Sequence, residues 1–120
     1  MKNPICHLEI PGDNVGPLLS FYHDLFDWDF QKFGGPMEYH IAAHEEGDTA
    51  PAIMAKQDPQ QPTVFYVCVD SIDESLSRAG ELGSTVIVPK TAVEGMGWFA
   101  VLMDPEKNAF GLWQSDSSAA

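Results

Sequence analysis

His7 and Glu9 stand two residues apart in Ile5-Cys6-His7-Leu8-Glu9-Ile10, a segment that alternates in polarity. On a strand that spacing puts the imidazole and the carboxylate on one face, with Cys6, Leu8 and Ile10 on the other. The pair could do acid–base work, because imidazole titrates near neutrality and a neighbouring carboxylate raises its pKa. His7 is also a metal donor that Glu9 could assist, yet catalytic divalent sites usually take three protein ligands. His40, His44 and Glu94 are of ligand type too, but spacing alone does not bring them to His7. A half-buried histidine bonded to Glu9 or to water would account for the same residues without any chemistry.

Other chemistries are set aside by pattern. The chain has no glycine-rich phosphate loop, no Cys-x-x-Cys pair and no nucleophile elbow around a serine. Eighteen acidic against six basic residues give a net charge of -12, which repels phosphate backbones and anionic membrane surfaces. Nucleic acid and membrane are therefore not expected partners, and the acidity serves solubility or a cationic ligand. Met1-Lys2-Asn3-Pro4 leads straight into a strand, no apolar run reaches signal or membrane-spanning length, and a cytoplasmic location is expected. Cys6 and Cys68 are too few for a disulfide framework and lie in apolar strand patterns, so they read as small core residues.

The elements that must position these residues fit one domain, since 120 residues at 44% hydrophobic content make one ordinary core. After the first strand, Pro11-Gly12-Asp13-Asn14 turns the chain, and Asn14 is placed to cap a helix with Leu18, Leu19, Tyr22, Leu25 and Phe26 on one stripe. Strand segments follow at about 28–33, 37–44 (after Gly34-Gly35-Pro36) and 52–56. Then come a strand at 64–69, a helix opened by the capping-box spacing Ser71-Ile72-Asp73-Glu74 and stopped by Gly83, and a strand at 84–88. Last is an aromatic hairpin from Trp98 to Gln114, whose turn opens at Asp104-Pro105 and closes where Asn108 tolerates a left-handed backbone. The tail 115–120 is small and polar and is expected to fray.

Shifting the first half by 57 residues lays His7 on Val64, Val15 on Ile72, Leu19 on Leu76 and Leu25 on Leu82. An offset two residues larger lays Ala52-Ile53-Met54 on Gly111-Leu112-Trp113. The pattern is a tandem repeat of one β-α-β-β-β unit, about 4–57 and 62–114 within a single domain at 1–114.

This layout, the histidine of the opening strand, Leu18-Leu19-Ser20-Phe21-Tyr22, and Gly97-Trp98-Phe99-Ala100-Val101-Leu102-Met103-Asp104-Pro105 followed by Phe110-Gly111-Leu112-Trp113-Gln114 resemble the vicinal oxygen chelate superfamily. That group holds glyoxalase I, extradiol dioxygenases, fosfomycin-resistance thiol transferases, methylmalonyl-CoA epimerase and bleomycin-resistance proteins. The resemblance implies an α+β fold in which tandem units form an open, cup-shaped mixed half-barrel with helices outside. It also implies a divalent metal in the cup, a small-molecule ligand and a homodimer. Carried over position by position, the family's ligand places fall on His7, Ala52, Val64 and Gly111, of which only His7 can coordinate. The place of Lys107 is commonly glycine in the family, so the hairpin turn is expected to differ in register.

Strand alternation then gives Tyr66, Gly111, Trp113 and Met54 as cup-lining, ligand-binding residues, with Trp98 and Tyr39 added where strand parity is less firmly set. Gly111 reads as space for a ligand or for a bulky neighbour, and the aromatics could equally be core. Two readings follow. One is a metal-free binder of an aromatic or cationic small molecule, needing no cofactor. The other is a metal-dependent lyase, isomerase or dioxygenase in which His7 and Glu9 are catalytic and His7 joins non-standard ligands around a divalent metal. A cup closed by its own side chains, leaving an assembly module, is a third option.

Overall fold

The computed structural model describes residues 3–35 and 37–120, so Met1, Lys2 and the Pro36 of the expected glycine-proline turn lie outside the described residues. The fold is α+β, with two compact units, Cys6–Val64 and Phe65–Ala120, the latter joined by the start of the chain through Ile5.

In the N-terminal unit β1 (Ile5–Gly12) leads to α1 (Val15–Phe26) and then to β2 (Phe30–Lys32), β3 (Tyr39–Ala42) and β4 (Ala50–Ala55). β1 pairs parallel with β4, β4 antiparallel with β3, and β3 antiparallel with β2. Pro17 sits in the first turn of α1, where its missing N–H costs no helical bond. Asn14 occupies the N-cap position without a side-chain bond, and Asp27, at φ 60°, ends the helix by donating its N–H to the carbonyl of His23. Leu18 packs where a side chain at Gly12 would stand, so one face of β1 meets the helix. The expected stripe is only partly covered: Phe21, Leu25 and Phe26 are 52–59% exposed.

The C-terminal unit repeats the plan with β5 (Val64–Cys68), α2 (Ile72–Glu81), β6 (Thr85–Val93), β7 (Gly97–Met103) and β8 (Ala109–Ser115). β5 runs parallel to β8, β8 antiparallel to β7, and β7 antiparallel to β6. Ser71 caps the helix where its spacing predicts, the Glu74 N–H donating to Ser71 Oγ at 3.2 Å. A further α2 N–H, that of Ile72, is held by Gln114 Oε1 at 2.9 Å. The core packs Val69, Ile72, Ala100, Leu102 and Leu112 between helix and sheet. β6 is longer than its sequence pattern suggests. It runs on through Pro89 because register shifts between Val86 and Thr91 absorb a residue that cannot donate to the ladder.

Three expectations are corrected. The hairpin turn takes its left-handed residue at Lys107, φ 65°, and not at Asn108, whose side-chain amide donates instead to both oxygens of Asp104. Lys107 thus stands in the backbone conformation a glycine would favour. The tail does not fray: Ala119 is buried, its carbonyl accepts from the Gly95 N–H at 2.8 Å, and the Asp116 N–H donates to Met96. Neither cysteine is a free thiol, both Cys6 and Cys68 being disulfide-bonded.

Candidate functional site

The registers of the N-terminal unit fix one face of its sheet. His7 lies opposite Ala50 and Glu9 opposite Ala52; Ala52 in turn faces Ile41, and Ile41 faces Gln31. Tyr39 faces Met54, the partner of Pro11. Residues directly opposite share a face, so His7, Glu9, Tyr39 and Met54 belong to one surface, as alternation predicts for the first two.

Their side chains are joined. The Tyr39 hydroxyl donates to Glu9 Oε2 at 2.7 Å and lies 2.5 Å from His7 Nε2. A carboxylate only accepts and a phenol has one proton, so with Glu9 ionised Nε2 is the donor to Tyr39. The chain of donation then runs from His7 through Tyr39 to Glu9. The His7 ring also bonds the Ala50 backbone, an interaction that favours its protonated form and therefore engages the carbonyl. A neutral imidazole carries a single N–H, so donation to both Tyr39 and the Ala50 carbonyl belongs to the protonated ring. Burial nevertheless wins, holding the His7 pKa below its ordinary value; Glu9 and the Ala50 bond oppose that shift and His44 reinforces it.

Beside this chain a cavity of about 410 Å3 is lined by Gln31, Lys32, Phe33, Ile41 and His44 among others. Gln31 and Ile41 continue the row that ends at Glu9, and the Phe33 ring meets Tyr39 edge-on at 6.2 Å. The wall is apolar and aromatic with a few polar groups, the usual make-up of a small-molecule site.

In the C-terminal unit Tyr66, Gly111 and Trp113 share a face with Phe99, while Phe110 and Leu112 point to the helix side, as alternation predicts. Gly111 makes room for a bulky neighbour: the Tyr66 ring occupies the position of its absent side chain. The Trp113 ring likewise lies 2.6 Å from where a Gly97 Cβ would be. Trp98 belongs to the other face. It packs against the core, donates its indole N–H to Asp116 at 3.0 Å, and carries Lys90 4.5 Å above its ring. Its neighbour in register is Gln114, one residue out of phase with Trp113, and this is the parity slip that alternation leaves open.

The donor set does not fit the metal that the family resemblance implies. Among the described residues no three histidine, cysteine, aspartate or glutamate side chains converge on a metal position. Ala52 and Val64 are buried and apolar, Gly111 lies under Tyr66, and His7 is engaged by Tyr39 and the Ala50 backbone. His44 and the Ala50 carbonyl, which tune His7, are not announced by sequence, since one acts from a loop and the other through backbone.

No protein-family profile matches the chain. It is 29% identical over 104 residues to the provisionally named glyoxylase CFP32 of Mycobacterium bovis and of Mycobacterium tuberculosis; the match takes in 81% of this chain and 40% of those proteins. The chain thus spans less than half the length of the curated relatives it matches. Among solved structures, a glyoxalase/bleomycin resistance protein/dioxygenase superfamily member from Vibrio splendidus aligns with TM-score 0.73 and 11% identity, covering 95% of this chain and 100% of that one. Methylmalonyl-CoA epimerase from Mycobacterium tuberculosis aligns with TM-score 0.73 and 11% identity over 93% of this chain and 87% of its own. In fold the chain is similar to solved members of the glyoxalase/bleomycin resistance protein/dioxygenase group, and in sequence to a provisionally named glyoxylase.

Proposed function

We propose that this chain is a small-molecule-binding module that needs no bound metal, its polar recognition element being the His7–Tyr39–Glu9 chain. The observation that carries this reading is that no three metal-ligating side chains converge among the described residues, while His7 is held by Tyr39 and the Ala50 backbone. The ligand is aromatic or cationic: Phe33 and Ile41 offer an apolar wall, and Tyr39, edge-on to Phe33, leads to the carboxylate of Glu9. In the C-terminal unit Tyr66 and Trp113 are the residues to contact a ligand. We further propose a homodimer. The disulfide bonding of both cysteines argues against the cytoplasmic location expected from the sequence, since such bonds persist in oxidising compartments. No helix is long and apolar enough to cross a membrane among the described residues.

A second reading rests on the same chain of hydrogen bonds. A histidine held toward its neutral form and linked through a phenol to a carboxylate can take and return a proton, which supports lyase or isomerase chemistry by acid–base means. Thermal-shift screening of aromatic and cationic compounds separates the two. The binding reading expects hits that weaken in Glu9→Gln and are recovered unchanged after incubation. Chemical conversion of a hit, lost in His7→Gln, supports the enzyme; hits indifferent to Glu9→Gln and Tyr39→Phe contradict both.

A further inference from the structure

The N-terminal unit has a second cavity that adjoins the first around Ala42, Ala43 and His44, which line both, and extends toward the helix-bearing face of the sheet. It holds about 340 Å3 and is lined by Trp28, Ala42, His44, Asp48, Thr49 and Pro51 among others. The registers place it: Ala42 pairs with Phe30 and Pro51 with Leu8, on the side away from His7, Glu9 and Tyr39. The Trp28 ring is a fixed wall. It stacks on Tyr22 of α1 at 5.5 Å between centroids with 7° between planes, and meets Phe30 edge-on at 6.4 Å. Asp48 brings a carboxylate to the same cavity, while no lysine or arginine is among its described lining residues. His44 bonds the Ala42 carbonyl through Nδ1 at 3.0 Å, which fixes a proton there.

The geometry points to an organic-cation site: an alkylammonium group seats on the Trp28 indole with its charge turned to Asp48. Indole is the best aromatic partner for a cation, the cavity lies at the small end of the range for small-molecule sites, and a chain of charge -12 raises the local concentration of cations. A carboxylate with an aromatic face selects a cation over a neutral molecule of the same shape, because the ring quadrupole and the ion act only on charge. Its recognition residues Trp28 and Asp48 are not among those of the function proposed above, while Ala42, Ala43 and His44 line both cavities.

The test titrates choline, and separately its neutral isostere 3,3-dimethylbutan-1-ol, into the isotopically labelled protein and follows amide and indole N–H signals. Choline is expected to shift the Trp28 indole and the amides of residues 43–49 saturably, and the alcohol to bind at least about tenfold more weakly. Asp48→Asn, a change in an exposed loop that leaves the fold intact, is expected to weaken choline about fivefold or more. Equal responses to the two compounds, an unchanged affinity in Asp48→Asn, or shifts confined to His7, Glu9 and Tyr39 would each overturn the assignment.

Discussion

The ring of Tyr66 occupies the space in which a side chain at Gly111 would begin, and the two residues face each other across the parallel pair β5–β8. The place where the family resemblance puts a metal-binding carboxylate is thus filled by an aromatic ring from the neighbouring strand. Tyr66 is buried and meets Phe99 edge-on at 6.5 Å, so it has little room to retreat.

Gly111→Ala is therefore expected to destabilise the protein by about 3 kcal/mol, at the upper end of what overpacking costs. Tyr66→Ala alone should cost a similar amount by leaving a cavity. The double variant should be clearly more stable than the sum of the two losses predicts, because removing the ring opens the space that the added methyl group needs. Urea unfolding of the three variants measures the coupling; strict additivity would mean that the ring and the glycine do not constrain each other.

Lys107 gives a prediction of the opposite sign. Its φ of 65° is a left-handed conformation that a side chain disfavours and glycine does not. Lys107→Gly is expected to raise stability by about 0.5–1 kcal/mol, the gain in the turn being partly offset by greater freedom of the unfolded chain. The turn itself is preserved by bonds that do not involve the lysine side chain, from the Asn108 amide and the Glu106 and Asn108 N–H groups to Asp104. A drop in melting temperature would contradict this account of the turn.

Much of this architecture is legible in the sequence because it rests on local signals. Alternation in β1 sets His7 and Glu9 on one face, the Ser71–Glu74 spacing announces the second helix, and the phase of β8 separates Trp113 from Leu112. What is not legible depends on register between distant strands. The alliance of Tyr39 with His7 and Glu9 requires β3 to lie beside β4 with Tyr39 opposite Met54, and β4 to run parallel to β1. Trp98 is misplaced for the same reason: its aromatic character suits either face, and only pairing with Gln114 settles which. The ordered tail also escapes local reading, because polar residues 115–120 gain their order from partners at Gly95, Met96 and Trp98.

The His7 site makes stability depend on pH with a defined sign. The folded protein holds His7 below its ordinary value of 6.5, so the unfolded chain takes up that proton more readily. The stability tied to His7 is fully present above 6.5 and is lost as pH falls through the lower folded value. The difference in unfolding free energy between wild type and His7→Gln should accordingly shrink as pH is lowered from about 7 to about 5. Because Glu9 is what draws the His7 pKa upward, Glu9→Gln should lower it further when the ring signals are titrated by NMR. A rise in that variant would mean that Glu9 does not act on His7 through charge.

The most direct test of a site that works without metal is the metal content of the purified protein, followed by titration of nickel, zinc, manganese and iron(II) into metal-free protein. With His7 engaged by Tyr39 and the Ala50 backbone and no converging donors among the described residues, the expected result is no stoichiometric binding and the same behaviour in His7→Ala. One equivalent bound by the wild type and lost in His7→Ala would contradict the account and make His7 the anchor of a coordination site.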